Sequence, residues 1–150
     1  MLLVEGPDLE GTAAELAALQ QLLPGATTLT GADATAQRVL AGLATADIAH
    51  IAAHGAFRGD NPLFSSLRVT DGPIWVHDFA DLPRTPQLVI LTACEAGRSG
   101  VLAGDELLGT ATALLSLGVE TVIAPLLPVP DIATARFAIR LHHHLSLIHI

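Results

Sequence analysis

Short apolar runs alternate with amphipathic stretches along the chain, and each boundary carries a turn or breaker signal. Residues 2–4 (LLV) form an apolar run closed by Gly6-Pro7. Over residues 11–23, Ala14, Leu16, Leu19, Leu22 and Leu23 recur near a 3.6-residue period until Pro24-Gly25, which predicts a helix. Thr27–Leu29 reads as a short strand, and Asp33 is placed to N-cap a second helix with Val39, Leu40 and Leu43 on one face. Residues 47–53 (DIAHIAA) predict a buried strand ending at His54-Gly55. Ser66–Val69 and residues 73–76 flank Thr70-Asp71-Gly72, a hairpin signal because Asp-Gly readily takes the turn's positive φ angles. Residues 77–82 suit one helical turn, with His77 as its cap.

The continuous apolar run 87–93 (QLVILTA) predicts a central strand covered on both faces, and it ends on Cys94. Residues 96–104 read as a loop, 105–117 as an apolar helix stopped by Gly118, and 121–127 as another buried strand. Pro128, Pro130 and Asp131 announce a last helix reaching about Leu145. Strand and helix in this rhythm predict an α/β fold with a mainly parallel sheet and a β-hairpin inserted between the His and Cys strands. No internal repeat or low-complexity linker interrupts it.

Composition narrows the function. With 51% hydrophobic and 15% charged residues, the 150-residue chain is able to bury a core and is not disordered or fibrous. The formal charge is −8 and all seven bases are arginines, which argues against nucleic acid as the main partner. No apolar run approaches the roughly 20 residues of a membrane helix, and MLLVEGPDLE lacks a secretory apolar stretch, so a cytoplasmic location away from membranes is expected. The single cysteine excludes an intrachain disulfide and a Cys-based zinc cluster. Neither a metal nor another cofactor is expected.

Ligands of open α/β sheets bind at the C-terminal ends of parallel strands. Two strands here end on reactive groups, His54-Gly55 and Cys94, which lie 40 residues apart and on the same sheet edge. A free thiol, with a pKa of about 8.5, is only a few per cent thiolate at neutral pH. A neighbouring imidazole raises that fraction and then protonates a leaving amine. Gly55 would let a substrate backbone approach, and the Gly55 and Cys94 amides would face an oxyanion. A core thiol and a satisfied strand-end histidine are the plain alternative.

The segments HIAAHG, NPLFSSLRVTDGPI, LVILTACEAG, GDELLGTATALLSLG and VIAPLLPVPD, in that order, resemble the CHAT domain. This is a caspase-like peptidase family of bacteria, often fused behind tetratricopeptide repeats. VEGPDLEGTAAEL and LTGADAT are similar to its actinobacterial members. The resemblance implies a caspase-like three-layer sandwich over residues 1–145, with His54 as general base and acid and Cys94 as nucleophile. It implies a cysteine endopeptidase acting on protein substrates through a Cys-His dyad, with Gly55 and Cys94 amides as the oxyanion hole and no third carboxylate. Regulatory tetratricopeptide-like repeats are then expected in the parent chain. The flank TACEAG lacks the caspase glutamine, so aspartate specificity does not carry over. Full CHAT domains extend further at both ends, so the domain is expected to be partial. Residues 146–150 (SLIHI) read as a non-native tail resembling translated adapter sequence.

A second reading is a non-catalytic, caspase-like interaction or signalling module. A nucleotide-binding domain is disfavoured, because no G-x-x-x-x-G-K phosphate loop is present. Glu95, Asp105 and Glu106 form a candidate specificity pocket selecting a basic residue before the cleaved bond. Alternatively, Asp105 and Glu106 complement a helix N-terminus. Asn61, Pro62 and Ser65 are expected to shape the loop near the histidine. His50 shares a strand face with His54 and is expected to be structural. His142, His143 and His144 point about 100° apart on a helix, so they do not converge on one metal and read as a solvated helix end.

Overall fold

A computed structural model describes residues 1–9, 11–92, 103–125 and 131–147, with side chains for all of these but 103–107, 131–132 and 147. In chain order its elements are β1 (Leu2–Glu5), α1 (Thr12–Leu22), β2 (Thr27–Leu29), α2 (Ala36–Leu43) and β3 (Ile48–Ala52). Then come β4 (Gly55–Ala56), β5 (Ser66–Val69), β6 (Gly72–Trp75), β7 (Leu88–Leu91), α3 (Ala103–Ser116), β8 (Thr121–Ile123) and α4 (Asp131–Leu147). Five strands form one parallel sheet in the order β2-β1-β3-β7-β8. The three central strands are the most apolar runs, as strands covered on both faces must be.

Alternation along β3 builds the three layers. Ala49, Ile51 and Ala53 pack with Val39 and Leu43 of α2 and with Ala113 and Leu114 of α3. Ile48 and Ala52 turn to the other face, where Leu16 and Leu19 of α1 and Ile139, Leu141 and Leu145 of α4 cover them. This is a caspase-like α/β sandwich with a mainly parallel sheet. The expected hairpin is present between the His and Cys strands, and β4 enlarges it to an antiparallel sheet, β4-β5-β6.

Several local expectations shift for physical reasons. Asp33 does not cap α2: it lies in a 3-10 turn and pairs with Arg38, and the turn delays the helix so that Thr35 becomes the cap. Thr35 Oγ1 accepts from the Arg38 amide, and the Ala36 amide donates to Asp71 at the hairpin tip (2.7 Å). Asp71 keeps a negative φ, and the positive φ falls on Gly72, which pairs with Val69 across a two-residue loop. His77 is not a cap: the 3-10 turn Val76–Asp81 begins where Asp78 accepts from the Trp75 amide. β8 ends at Ile123 rather than 127, because Pro125 brings no amide to a ladder; residues 126–127 lie outside the described residues. α1 buries Thr12, Glu15, Leu16 and Leu19 and leaves Ala14 exposed.

Gly6 marks a tight crossing of main chains. Its amide donates to Ala52 O (2.7 Å), extending the β1–β3 pairing, and a Cβ there would lie 2.6 Å from Arg68 O and 2.8 Å from Ala53 Cβ. Backbone cannot yield as a flexible side-chain tip does. Gly6→Ala should therefore destabilise the fold by about 1–3 kcal/mol, read as a lowered denaturation midpoint in urea.

Candidate functional site

His54 follows β3 at the C-terminal end of the parallel sheet, two residues beyond Ala52. Its Nε2 lies 3.0 Å from the Asp8 carbonyl, so Nε2–H donates to that oxygen. The other ring nitrogen, Nδ1, is buried and has no hydrogen-bond partner among the described residues. With Nε2 carrying the proton, Nδ1 presents a lone pair, which is the form a general base requires. Asp8 has φ 62°, an unusual left-handed conformation for a residue with a side chain. Its carboxylate pairs with Arg68 (3.2 Å), whose amide donates to His54 O (2.8 Å). The imidazole and its own backbone are thus held from both sides.

Cys94 and Glu95 lie outside the described residues. Asp105 and Glu106 occupy the first turn of α3, where carboxylates complement the helix dipole; their side chains are not described. β3 and β7 are hydrogen-bonded neighbours, with Ile51 opposite Leu91 and the Thr92 amide donating to Ile51 O (3.1 Å). His54 and Cys94 each stand three positions beyond that pair in sequence.

Gly55 plays a different steric part from the one expected. The position of an added Cβ lies 2.2–2.8 Å from the Phe57 ring, so the missing side chain makes room for Phe57 and not for a substrate backbone. Ser65 is fully buried and accepts from the Arg58 amide and the Thr110 hydroxyl, both at 2.9 Å. Pro62 meets Gly109, where a Cβ would stand 3.1 Å from Pro62 Cγ. The loop after His54 is thereby fastened to α3.

The expected solvated histidine cluster is half right. His143 and His144 are exposed, but His142 is only 1% exposed. It shares the buried face of α4 with Ala138, one turn earlier. Its Nε2 is 3.1 Å from Nδ1 of His50, a contact that holds one shared proton. Nε2 of His50 in turn donates to Glu15 Oε1 (2.9 Å) and lies 3.3 Å from Thr92 Oγ1. Burial first, and then the neighbouring His50, lowers the His142 pKa from 6.5 to about 4. His50 is therefore structural, as its buried strand position suggests, but it anchors a polar chain joining α1, β3, β7 and α4. Glu15 is the member that an apolar reading of α1 passes over; its placement one residue before Leu16, on the same face, is the signal for it.

Beside this chain, at the ends of β7 and β8, lies a cavity of about 300 Å³. Leu91, Ile123, Ala124, Pro125 and Phe137 line it together with the threonines Thr92 and Thr134. Phe137 of α4 is 55% exposed, on the cavity's rim. No helix among the described residues is long and apolar enough to cross a membrane.

A parallel α/β sandwich with an antiparallel insertion between β3 and β7 is consistent with a caspase-like domain. The family model of the CHAT domain matches residues 2–147, nearly the whole chain. The chain belongs to the CHAT domain family, a caspase-like, peptidase-related group. Comparison with curated proteins finds no match.

Proposed function

We propose that this chain is a cysteine endopeptidase that hydrolyses peptide bonds in protein substrates with Cys94 as nucleophile and His54 as base. The observation that carries this reading is the His54 ring: Nε2 is tethered to the Asp8 carbonyl, and Nδ1 has no hydrogen-bond partner among the described residues, at the sheet end next to the strand that leads to Cys94. In the proposed reaction Nδ1 takes the thiol proton, and the Cys94 sulfur forms a bond to the scissile carbonyl carbon. The Gly55 and Cys94 amides stabilise the resulting oxyanion. On collapse the C–N bond breaks and His54 returns the proton to the leaving amine, leaving a thioester. His54 then deprotonates water for its hydrolysis. The Asp8 carbonyl fixes the ring's tautomer, so no third carboxylate is needed. Tetratricopeptide-like repeats in the parent chain would regulate access.

Thiol alkylation tests the pairing, and the single cysteine makes the signal unambiguous. Iodoacetamide should react with an apparent thiol pKa well below the ordinary value of about 8.5, and His54→Ala should return it to that value. An ordinary pKa that ignores the His54 substitution would favour the interaction-module reading.

A further inference from the structure

The cavity at the ends of β7 and β8 lies on the C-terminal edge of the parallel sheet, the edge that also carries His54. Thr92, in its wall, is two residues before Cys94, and two residues of chain span no more than about 7 Å. The cavity's volume of about 300 Å³ is at the lower end for ligand pockets. Among the described residues no charged side chain lines it; five apolar residues and two threonines do. The described lining offers an Arg, Asp or Glu side chain no counter-charge for the hydration it would lose, whereas a Leu, Met or Phe side chain would be covered. The exposed ring of Phe137 on the rim supplies further apolar surface for an incoming group.

We infer that this cavity is a substrate subsite, taking one large apolar side chain from the acyl side of the cleaved bond. This rests on the peptidase reading and gives it a substrate class: polypeptides with an aliphatic or aromatic residue next to or near the scissile bond. An apolar preference at this cavity is the alternative to a basic preference set by Glu95, Asp105 and Glu106, whose side chains lie outside the described residues.

Acyloxymethyl ketone probes separate the subsite from hydrolysis, because labelling needs only the thiolate and a seated side chain. The Cys94 sulfur bonds to the probe's methylene carbon and a carboxylate leaves. With the full chain, probes carrying Leu or Phe should label Cys94 at least about tenfold faster than Gly, Arg or Asp probes, the scale expected for a hydrophobic pocket. Ala124→Phe, which fills the cavity, should bring Leu and Gly probes within about twofold of each other while leaving the iodoacetamide rate unchanged. Phe137→Ala removes an exposed ring and spares the fold, and it should cut the Leu preference severalfold. Fastest labelling by the Arg probe, equal labelling by all probes, or a Leu preference that survives both substitutions would each overturn the subsite. A thiol inert to every probe and to iodoacetamide would overturn the subsite and the peptidase reading together. Selective labelling without peptide hydrolysis would sustain the subsite and refute the hydrolase alone.

Discussion

Peptide-bond cleavage by the full chain should fall by at least about 10⁴-fold in Cys94→Ala, because removing a nucleophile leaves only binding and oxyanion stabilisation. His54→Ala should cost about 10²- to 10⁴-fold, the range of a positioned general base. Combining the two should cost little more than Cys94→Ala alone, since both act on one proton and one bond. The measurement is kcat/KM on a peptide substrate, with circular dichroism to confirm that each variant is folded. The hydrogen bond of the His54 ring among the described residues goes to the Asp8 carbonyl in a loop outside the sheet, so its replacement should leave the sheet intact. Cleavage retained by a purified, complete Cys94→Ala protein would sink the mechanism.

The second large effect concerns stability and lies away from the reacting atoms. Glu15→Ala should destabilise the fold by about 3–5 kcal/mol, because breaking a buried pair leaves a polar group uncompensated. That corresponds to a melting temperature lower by roughly ten degrees or more for a chain of this size. The argument rests on burial: Glu15 is 3% exposed and His50 0%, so water cannot replace the lost carboxylate. Glu15→Gln keeps an acceptor and should cost less. Acid should expose the same network through His142, whose pKa is lowered to about 4 in the fold. Between that value and 6.5 the unfolded chain binds a proton that the folded chain refuses. Stability is therefore full above the upper value, falls as pH drops through the window, and levels off below the lower one. The shift corresponds to a loss on the order of 3 kcal/mol. His142→Gln should flatten that slope in urea titrations compared at neutral pH and near the bottom of the window; an unchanged slope would remove His142 as its source.

Much of the fold could be read from residue order, for reasons that residues make plain. LLV, DIAHIAA and QLVILTA are mostly apolar because both of their faces are covered, and those are the runs that became the three central strands. Turn chemistry located the hairpin and the positive φ at Gly72, but not that the Asp71 carboxylate serves a helix 35 residues earlier. Such pairings join residues that no local window contains. The same holds for the pairing of Glu15, His50 and His142: the strand position of His50 signals its burial, but the three meet only when α1 and α4 close over β3. His54 was visible as a residue at a strand end, but its orientation was not, since a main-chain oxygen from the β1–α1 connection sets it. The cavity was also invisible, being made by where α4 rests against the ends of β7 and β8.

That main-chain oxygen has a consequence for genetics. Under the proposed reaction, the group that aligns the imidazole belongs to position 8 but not to the aspartate written there. Every amino acid supplies a carbonyl, so a substitution scan would record two indispensable positions and pass over the third partner. Asp8 would score only for its ion pair with Arg68 and for its tolerance of an unusual dihedral angle. Deleting a residue between Gly6 and Asp8, which displaces the oxygen itself, is the change that would make the hidden partner heritable and therefore visible to selection.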